Sequence, residues 1–131
     1  VAYLRDEGGE PQRVQISTSK DEGLTWSLAV DTDIPNPSSS LEVIALADGR
    51  WVMIANDTEE GRHRLVLMMS DDEGQTWKWK RYLENGSGSY SYPSLIQSRD
   101  DTIHATYSHH EKTWNSIKHV RVNPEWIMAG E

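Results

Sequence analysis

Two acid-rich turns, Asp21-Glu22 and Asp71-Asp72-Glu73, are the first places in this 131-residue chain where side chains could do chemistry. Clustered carboxylates are the hard oxygen ligands that calcium prefers. Neither turn carries the D-x-[DN]-x-[DN]-G-x5-E series of a calcium loop. Both lie instead in one recurring box, Ser-x-Asp-x-Gly-x-Thr-Trp, at Ser19 to Trp26 and Ser70 to Trp77. A turn accounts for every position of that box. The Asp carboxylate accepts loop N–H groups. Gly23 and Gly74 permit the positive φ of a sharp bend. Trp26 and Trp77 tuck beneath it and pin it. The box is therefore read as structural. His109-His110-Glu111 offers metal-ligand types, but neighbours on a strand point to opposite faces, so no metal site is expected there. Gly86-Ser87-Gly88-Ser89 lacks the Lys-Ser/Thr of a phosphate loop and reads as a flexible connection. No G-x-S-x-G nucleophile elbow occurs. Asn56-Asp57-Thr58 and Asn85-Gly86-Ser87 match the glycosylation triplet, a pattern that is common by chance.

The composition narrows the classes further. With 13 Lys+Arg against 21 Asp+Glu, the net charge is −8. No basic run accompanies it, which argues against nucleic acid or an anionic membrane as partner. No apolar run exceeds five residues, Trp51 to Ala55 and Leu65 to Met69 among them, far too short for a bilayer-spanning helix. Cysteine is absent, which removes disulfides, thiolate metal sites and thiol nucleophiles. The compartment stays open on that ground. Phe is absent, whereas Trp counts 6 and Tyr 5.

What positions the boxes is a repeat. The two boxes are offset by 51 residues, and Arg13 to Thr18 lies over Arg64 to Met69 at the same offset. A second alignment, at offset 52, places Ala47-Asp48-Gly49-Arg50-Trp51-Val52 over Arg99 to His104. Each unit reads as four strands. Leu41 to Leu46 turns at Asp48-Gly49 into Trp51 to Ala55. The loop Asn56 to Gly61, the strand Arg64 to Ser70, the box turn and a strand from Trp77 follow. Arg64 to Met69 is apolar almost throughout, as expected of a strand covered on both faces. In the third unit the strands fall at Ser94 to Gln97, Thr102 to Tyr107 and Ser116 to Val122, and Glu111 to Trp114 is at most a relic of the box. Pro124-Glu125-Trp126 reads as a terminus docking on the body, and helix is expected to be minor. The expected fold is all-β: radially stacked four-stranded antiparallel sheets, about two and a half of them, divided at residues 1–33, 34–84 and 85–131.

The two boxes resemble the Asp-boxes, or BNR repeats, of sialidases and related glycosidases, which are six-bladed β-propellers. Ile34-Pro35-Asn36-Pro37-Ser38-Ser39, Leu46 to Arg50, Tyr90-Ser91-Tyr92-Pro93-Ser94-Leu95 and Ile117 to Val120 are similar to the C-terminal half of bacterial sialidase-like proteins. The resemblance implies a retaining exo-glycosidase acting on sialic acid or another acidic sugar, with no cofactor. Guanidinium forks would hold the sugar carboxylate bidentately. A tyrosine, activated by a base, would attack the anomeric carbon. Arg5 takes the place of the family's second arginine, at a strand end before a box. For the third the resemblance points to Arg62, with Arg64 next; Arg64 repeats Arg13, which favours a structural role. Tyr92, in Tyr92-Pro93-Ser94-Leu95, takes the place of the nucleophile, although the family often has Ser where Pro93 stands.

The family's first arginine, acid/base aspartate and the glutamate partner of the tyrosine have no counterpart between Val1 and Glu131. Glu42 precedes a Leu-x-Asp-Gly hairpin as that glutamate does, but one blade too late. The expected partners are an acidic sugar and either the missing N-terminal blades or a second copy at the open sheet edges. A true sialidase would be secreted or periplasmic. Two other functions fit the same residues: a non-catalytic carbohydrate-binding propeller, and a same-fold hydrolase or lyase on another uronic or acidic sugar.

Overall fold

The computed structural model describes residues 1–130. It is all-β, with three antiparallel sheets and one short helix. The first sheet joins β1 (Ala2–Leu4), β2 (Arg13–Ser17) and β3 (Val30–Pro35) in that order. The second joins β4 (Glu42–Ala45), β5 (Trp51–Ala55), β6 (Arg64–Ser70) and β7 (Trp79–Asn85). The third joins β8 (Ser89–Gln97), β9 (Ile103–His110) and β10 (Asn115–Val122). Helix α1 (Pro124–Ala129) closes the described chain, and packs on β7 and β6.

The apolar run at Leu65 to Met69 explains the stacking. Alternate residues of a strand face opposite sides. Leu65, Leu67 and Met69 meet Leu95, Ile103, Ala105 and Tyr107 of the third sheet. Val66 and Met68 meet Val14 of the first, with Met53 and Ala55 beside them. The second sheet is thus the filling between the other two. Each large side chain fully buried this way contributes about 1.5–3 kcal/mol.

The boxes close alike. Ser19 Oγ donates to Asp21 and accepts from Gly23 N–H, both at 2.8 Å. Thr25 N–H and Oγ1 then donate to the two carboxylate oxygens of Asp21, at 2.9 and 2.5 Å. Ser70, Asp72, Gly74 and Thr76 repeat the pattern at 2.7, 2.9, 2.8 and 2.6 Å. Gly23 has φ of 90° and Gly74 of 80°. Trp26 is half exposed, and its Nε1–H closes the turn on Gly23 O at 3.0 Å. The carboxylates are therefore committed inward. The Thr, backbone and Ser donors stabilise the charged form and hold Asp21 and Asp72 at about 2. Their folded values lie below the unfolded ones, so the stability they add is present above about pH 4 and is lost as pH falls through about 2. A carboxyl-carbon NMR titration should give both midpoints near 2. Midpoints near 4 would mean the turns are open.

The strand bounds shift from the sequence expectation. β7 starts at Trp79 rather than Trp77, because the box occupies the residues before it. β8 begins at Ser89, so the segment read as a flexible Gly-Ser connection is short and tightly fitted. A Cβ added at Gly88 would lie 2.6 Å from Glu111 Oε1, 2.7 Å from His110 O and 2.8 Å from Tyr90 Oη. Glycine is there for close approach, not for mobility.

The strand directions separate two ends. The hairpins at 46–50 and 98–102 and both boxes lie at one end. The loops 5–12, 36–41, 56–63, 86–88 and 111–114 gather at the other. Arg5, Arg62 and the start of β8 all belong to that second end.

Candidate functional site

The loop 56–63 organises the second end. Asn56 ends the apolar run of β5 and is fully buried. Its Nδ2 donates to Arg64 O at 2.6 Å, closing its own loop, and to Tyr90 O at 3.0 Å, across to the third sheet. Asp57, also buried, turns to the opposite side, toward the first sheet. It takes an ion pair from Lys80 and from Arg64, the latter at 3.5 Å, and Tyr82 Oη–H at 3.0 Å. The loop is thereby clamped to both neighbouring strands. Tyr90 N–H donates to Arg62 O at 2.8 Å, which ties Arg62 to the strand that bears Tyr92.

Tyr92 owes its orientation to a β-bulge. The β8–β9 register breaks between Ser91 and Ser94, so Tyr92 and Pro93 together stand opposite one residue. Tyr92 has φ of 51°, a left-handed conformation costly for an aromatic residue. Its side chain is 64% exposed, whereas Tyr90, two residues earlier, is buried with its hydroxyl on Glu111 at 3.3 Å. Burial first, and then the Glu111 charge, push the Tyr90 phenol up. Tyr90 is the packing tyrosine, and Tyr92 is aimed outward.

Arg62 and Tyr92 meet. The Arg62 guanidinium carbon lies 5.6 Å from the Tyr92 ring centroid, in cation–π range. Arg62 Nη2 also donates to Ser38 O at 3.2 Å. That carbonyl is presented by a turn at 36–39, in which Asn36 exchanges two 3.0 Å hydrogen bonds with Ser39 and Ser38 has φ of 53°. Arg64 is placed differently. It stacks 5.6 Å from the Tyr82 ring and lines, with Asp57 and Lys80, the cleft between the first and second sheets. Arg5 follows β1 at the same end, exposed and paired with Glu7. So Arg62 and Tyr92 come together, Arg64 faces the other side of its sheet, and the contact formed by Arg5 is with its own loop.

Two carboxylates on the flanking elements are engaged elsewhere. Glu42 Oε2 accepts Leu95 N–H at 2.5 Å, stitching β4 to β8. Glu111 accepts from Tyr90 and lies 3.0 Å from His109 Nε2. Among the described residues no cluster of three or more His, Asp or Glu side chains is arranged to hold a metal ion. Asn56 and Ser38 escaped the sequence reading as site-building residues; Tyr90, which fits the nucleophile spacing less well than Tyr92, has a packing role instead. One signal did exist for Asn56: a polar residue closes an apolar strand where the repeat puts Arg5.

Three stacked antiparallel sheets with Asp-box turns at one end and site loops at the other define part of a sialidase-type β-propeller. The chain belongs to the BNR repeat-like domain family, whose profile matches residues 1–105. A sialidase from Micromonospora viridifaciens is 24% identical over 123 residues, covering 86% of this chain and 18% of that protein. The intramolecular trans-sialidase of leech superposes with a TM-score of 0.81 at 21% identity, covering 97% of this chain and 22% of that one. That of Ruminococcus gnavus gives 0.80 at 23%, covering 96% and 30%. The NanB sialidase of Streptococcus pneumoniae gives 0.78 at 18%, covering 95% and 21%. At these identities the likeness is one of fold. The chain spans less than a third of each of these proteins.

Proposed function

We propose that this chain is the part of a sialidase-like retaining glycosidase that supplies one carboxylate-binding arginine, Arg62, and the nucleophile, Tyr92. The observation that carries this reading is their pairing: an exposed tyrosine, held at positive φ by a bulge, with a guanidinium 5.6 Å from its ring. Backbone strain of this kind persists only where surrounding structure enforces it, and it concentrates at functional positions. A tyrosine suits the task because it brings no negative charge against an anionic sugar. Arg5, at the same end, is the second arginine of this reading. Arg64 is left to the blade interface. The leech and R. gnavus structures were solved with 2,7-anhydro-Neu5Ac and oseltamivir carboxylate respectively, both carboxylate ligands.

A phenol needs a base to remove its proton before it attacks. Glu42 and Glu111 are engaged elsewhere, and in the sialidase pattern that this reading follows the base and the acid that protonates the leaving group lie on blades outside residues 1–131. The chain by itself therefore binds an acidic sugar weakly and does not hydrolyse it. Incubated with a fluorogenic sialoside, the purified chain should release no fluorophore above the buffer rate; turnover removed by Tyr92→Phe would show that it holds a complete site. The same engagement of the carboxylates favours a second reading, a carbohydrate-binding propeller without catalysis. That reading predicts sialate binding that Tyr92→Phe leaves unchanged, in a ring that still turns over no sialoside when complete.

A further inference from the structure

The outer face of the third sheet departs from the repeat. In the second sheet Val52, Ile54, Leu65, Leu67 and Met69 face the third and are fully buried. At offset 52 their counterparts are His104, Thr106, Ile117, His119 and Arg121. The pairing supports this equivalence: Val52 opposes Met69 and Ile54 opposes Leu67, as His104 opposes Arg121 and Thr106 opposes His119. An apolar set has become mostly polar, with two imidazoles on one face.

Those imidazoles meet. His104 Nδ1 lies 2.9 Å from His119 Nε2. The planes differ by 11° with centroids 5.2 Å apart. That separation is too wide for a face-to-face stack, so the rings meet edge to edge, nitrogen to nitrogen. They border a pocket of about 250 Å³ that Ser94, Thr106 and Ile96 also line. Ser94, Thr106 and His119 form one row across the three strands.

We propose that His104 and His119 form a two-imidazole chelate for a divalent transition-metal ion, taking Cu(II) more tightly than Ni(II) or Zn(II). With metal–nitrogen bonds near 2.0–2.1 Å, two cis ligands of a square-planar ion stand about 2.9 Å apart, and tetrahedral ones about 3.3 Å. The observed spacing matches the first; the two nitrogens now face each other along a hydrogen bond, so each ring must turn off that line, by about 45°, to bring both lone pairs onto one ion. Imidazole suits these metals, and the stability order of divalent ions peaks at copper. Water completes the coordination, with the Ser94 and Thr106 hydroxyls at hand to hydrogen-bond it. Arg121 is the unfavourable charge on this face, and lies directly across from His104. Binding requires the hydrogen that one ring donates to the other to leave that nitrogen, by tautomerisation to the far ring nitrogen or by loss to solvent.

Calorimetric titration of the chain with CuSO4, supported by EPR, tests this. One ion per chain with two nitrogen ligands is expected. His104→Ala and His119→Ala should each weaken binding by at least about tenfold, since each leaves a single tethered ligand. His110→Ala, on another part of the sheet, should leave it unchanged. Copper should also broaden the NMR signals of Ser94, Thr106 and Ile117 in the unaltered chain, a readout independent of how the variants fold. No binding near 100 µM (about −5.5 kcal/mol), binding by either alanine variant as tight as by the unaltered chain, or broadening centred on His63 or His110 would overturn the proposal.

Discussion

Leu67→Ala should lower the unfolding free energy by about 2–5 kcal/mol, the cost of emptying a well-packed leucine site. Leu67 is fully buried on β6, paired with Ile54 and packed against the third sheet. A domain of this size holds only about 5–15 kcal/mol in total, so this one change takes a large share of it. The effect should be cooperative, because β6 is the strand that both neighbouring sheets cover. Leu28 is 90% exposed, and Leu28→Ala should change stability by less than about 0.5 kcal/mol. Urea unfolding of both variants makes the comparison. Similar midpoints would mean that the third sheet does not pack on the second.

Arg62→Ala should weaken the binding of N-acetylneuraminate to the chain by about tenfold or more. If Arg62 binds the sugar as proposed, a guanidinium fork matched to its carboxylate is lost, and with it a charge-assisted pair of hydrogen bonds. Arg62→Lys should recover only part of the loss, because an ammonium keeps the charge and not the fork. Arg64→Ala should do the reverse. It uncovers buried Asp57 and costs about 1–3 kcal/mol of stability, while sialate affinity changes by no more than about twofold. NMR titration for affinity and urea midpoints for stability separate the two arginines. If Arg64→Ala abolishes sialate binding and Arg62→Ala spares it, the two assignments must be exchanged.

The features legible in the chain were those fixed by neighbours in sequence. The Asp-box closes through bonds between residues two to four apart, and so its eight residues disclose it. The Asp48-Gly49 hairpin has the same locality: Leu46 N–H reaches Arg50 O at 2.7 Å, and Gly49 sits at φ of 91°. The two-sided burial of β6 follows from an apolar run without alternation. The docking of the C-terminal segment was readable too: Ile127 is buried and Arg81 lies over the Trp126 ring at 4.1 Å.

What escaped depends on pairs far apart in sequence. Asn56 reaches Tyr90 across 34 positions, and no local pattern marks an asparagine for that. The bulge at Tyr92 is a property of the β8–β9 register, invisible until His109 and Thr106 are set against Tyr90 and Ser94. Gly88 looked like a linker residue because its reason, the approach of Glu111 and Tyr90, lies on other strands. His104 and His119 are 15 apart and meet on a diagonal between paired strands.

The most direct measurement is a chemical-shift map of the 131-residue chain titrated with N-acetylneuraminate. Shifts clustered at Arg62, Tyr92 and the 36–39 turn, saturating in the millimolar range expected of half a site (about −4 kcal/mol), are what the paired arginine and tyrosine predict. Shifts confined to the cleft beside Arg64 and Lys80, or none at saturating sugar, would contradict the assignment of this rim as a sugar-carboxylate site.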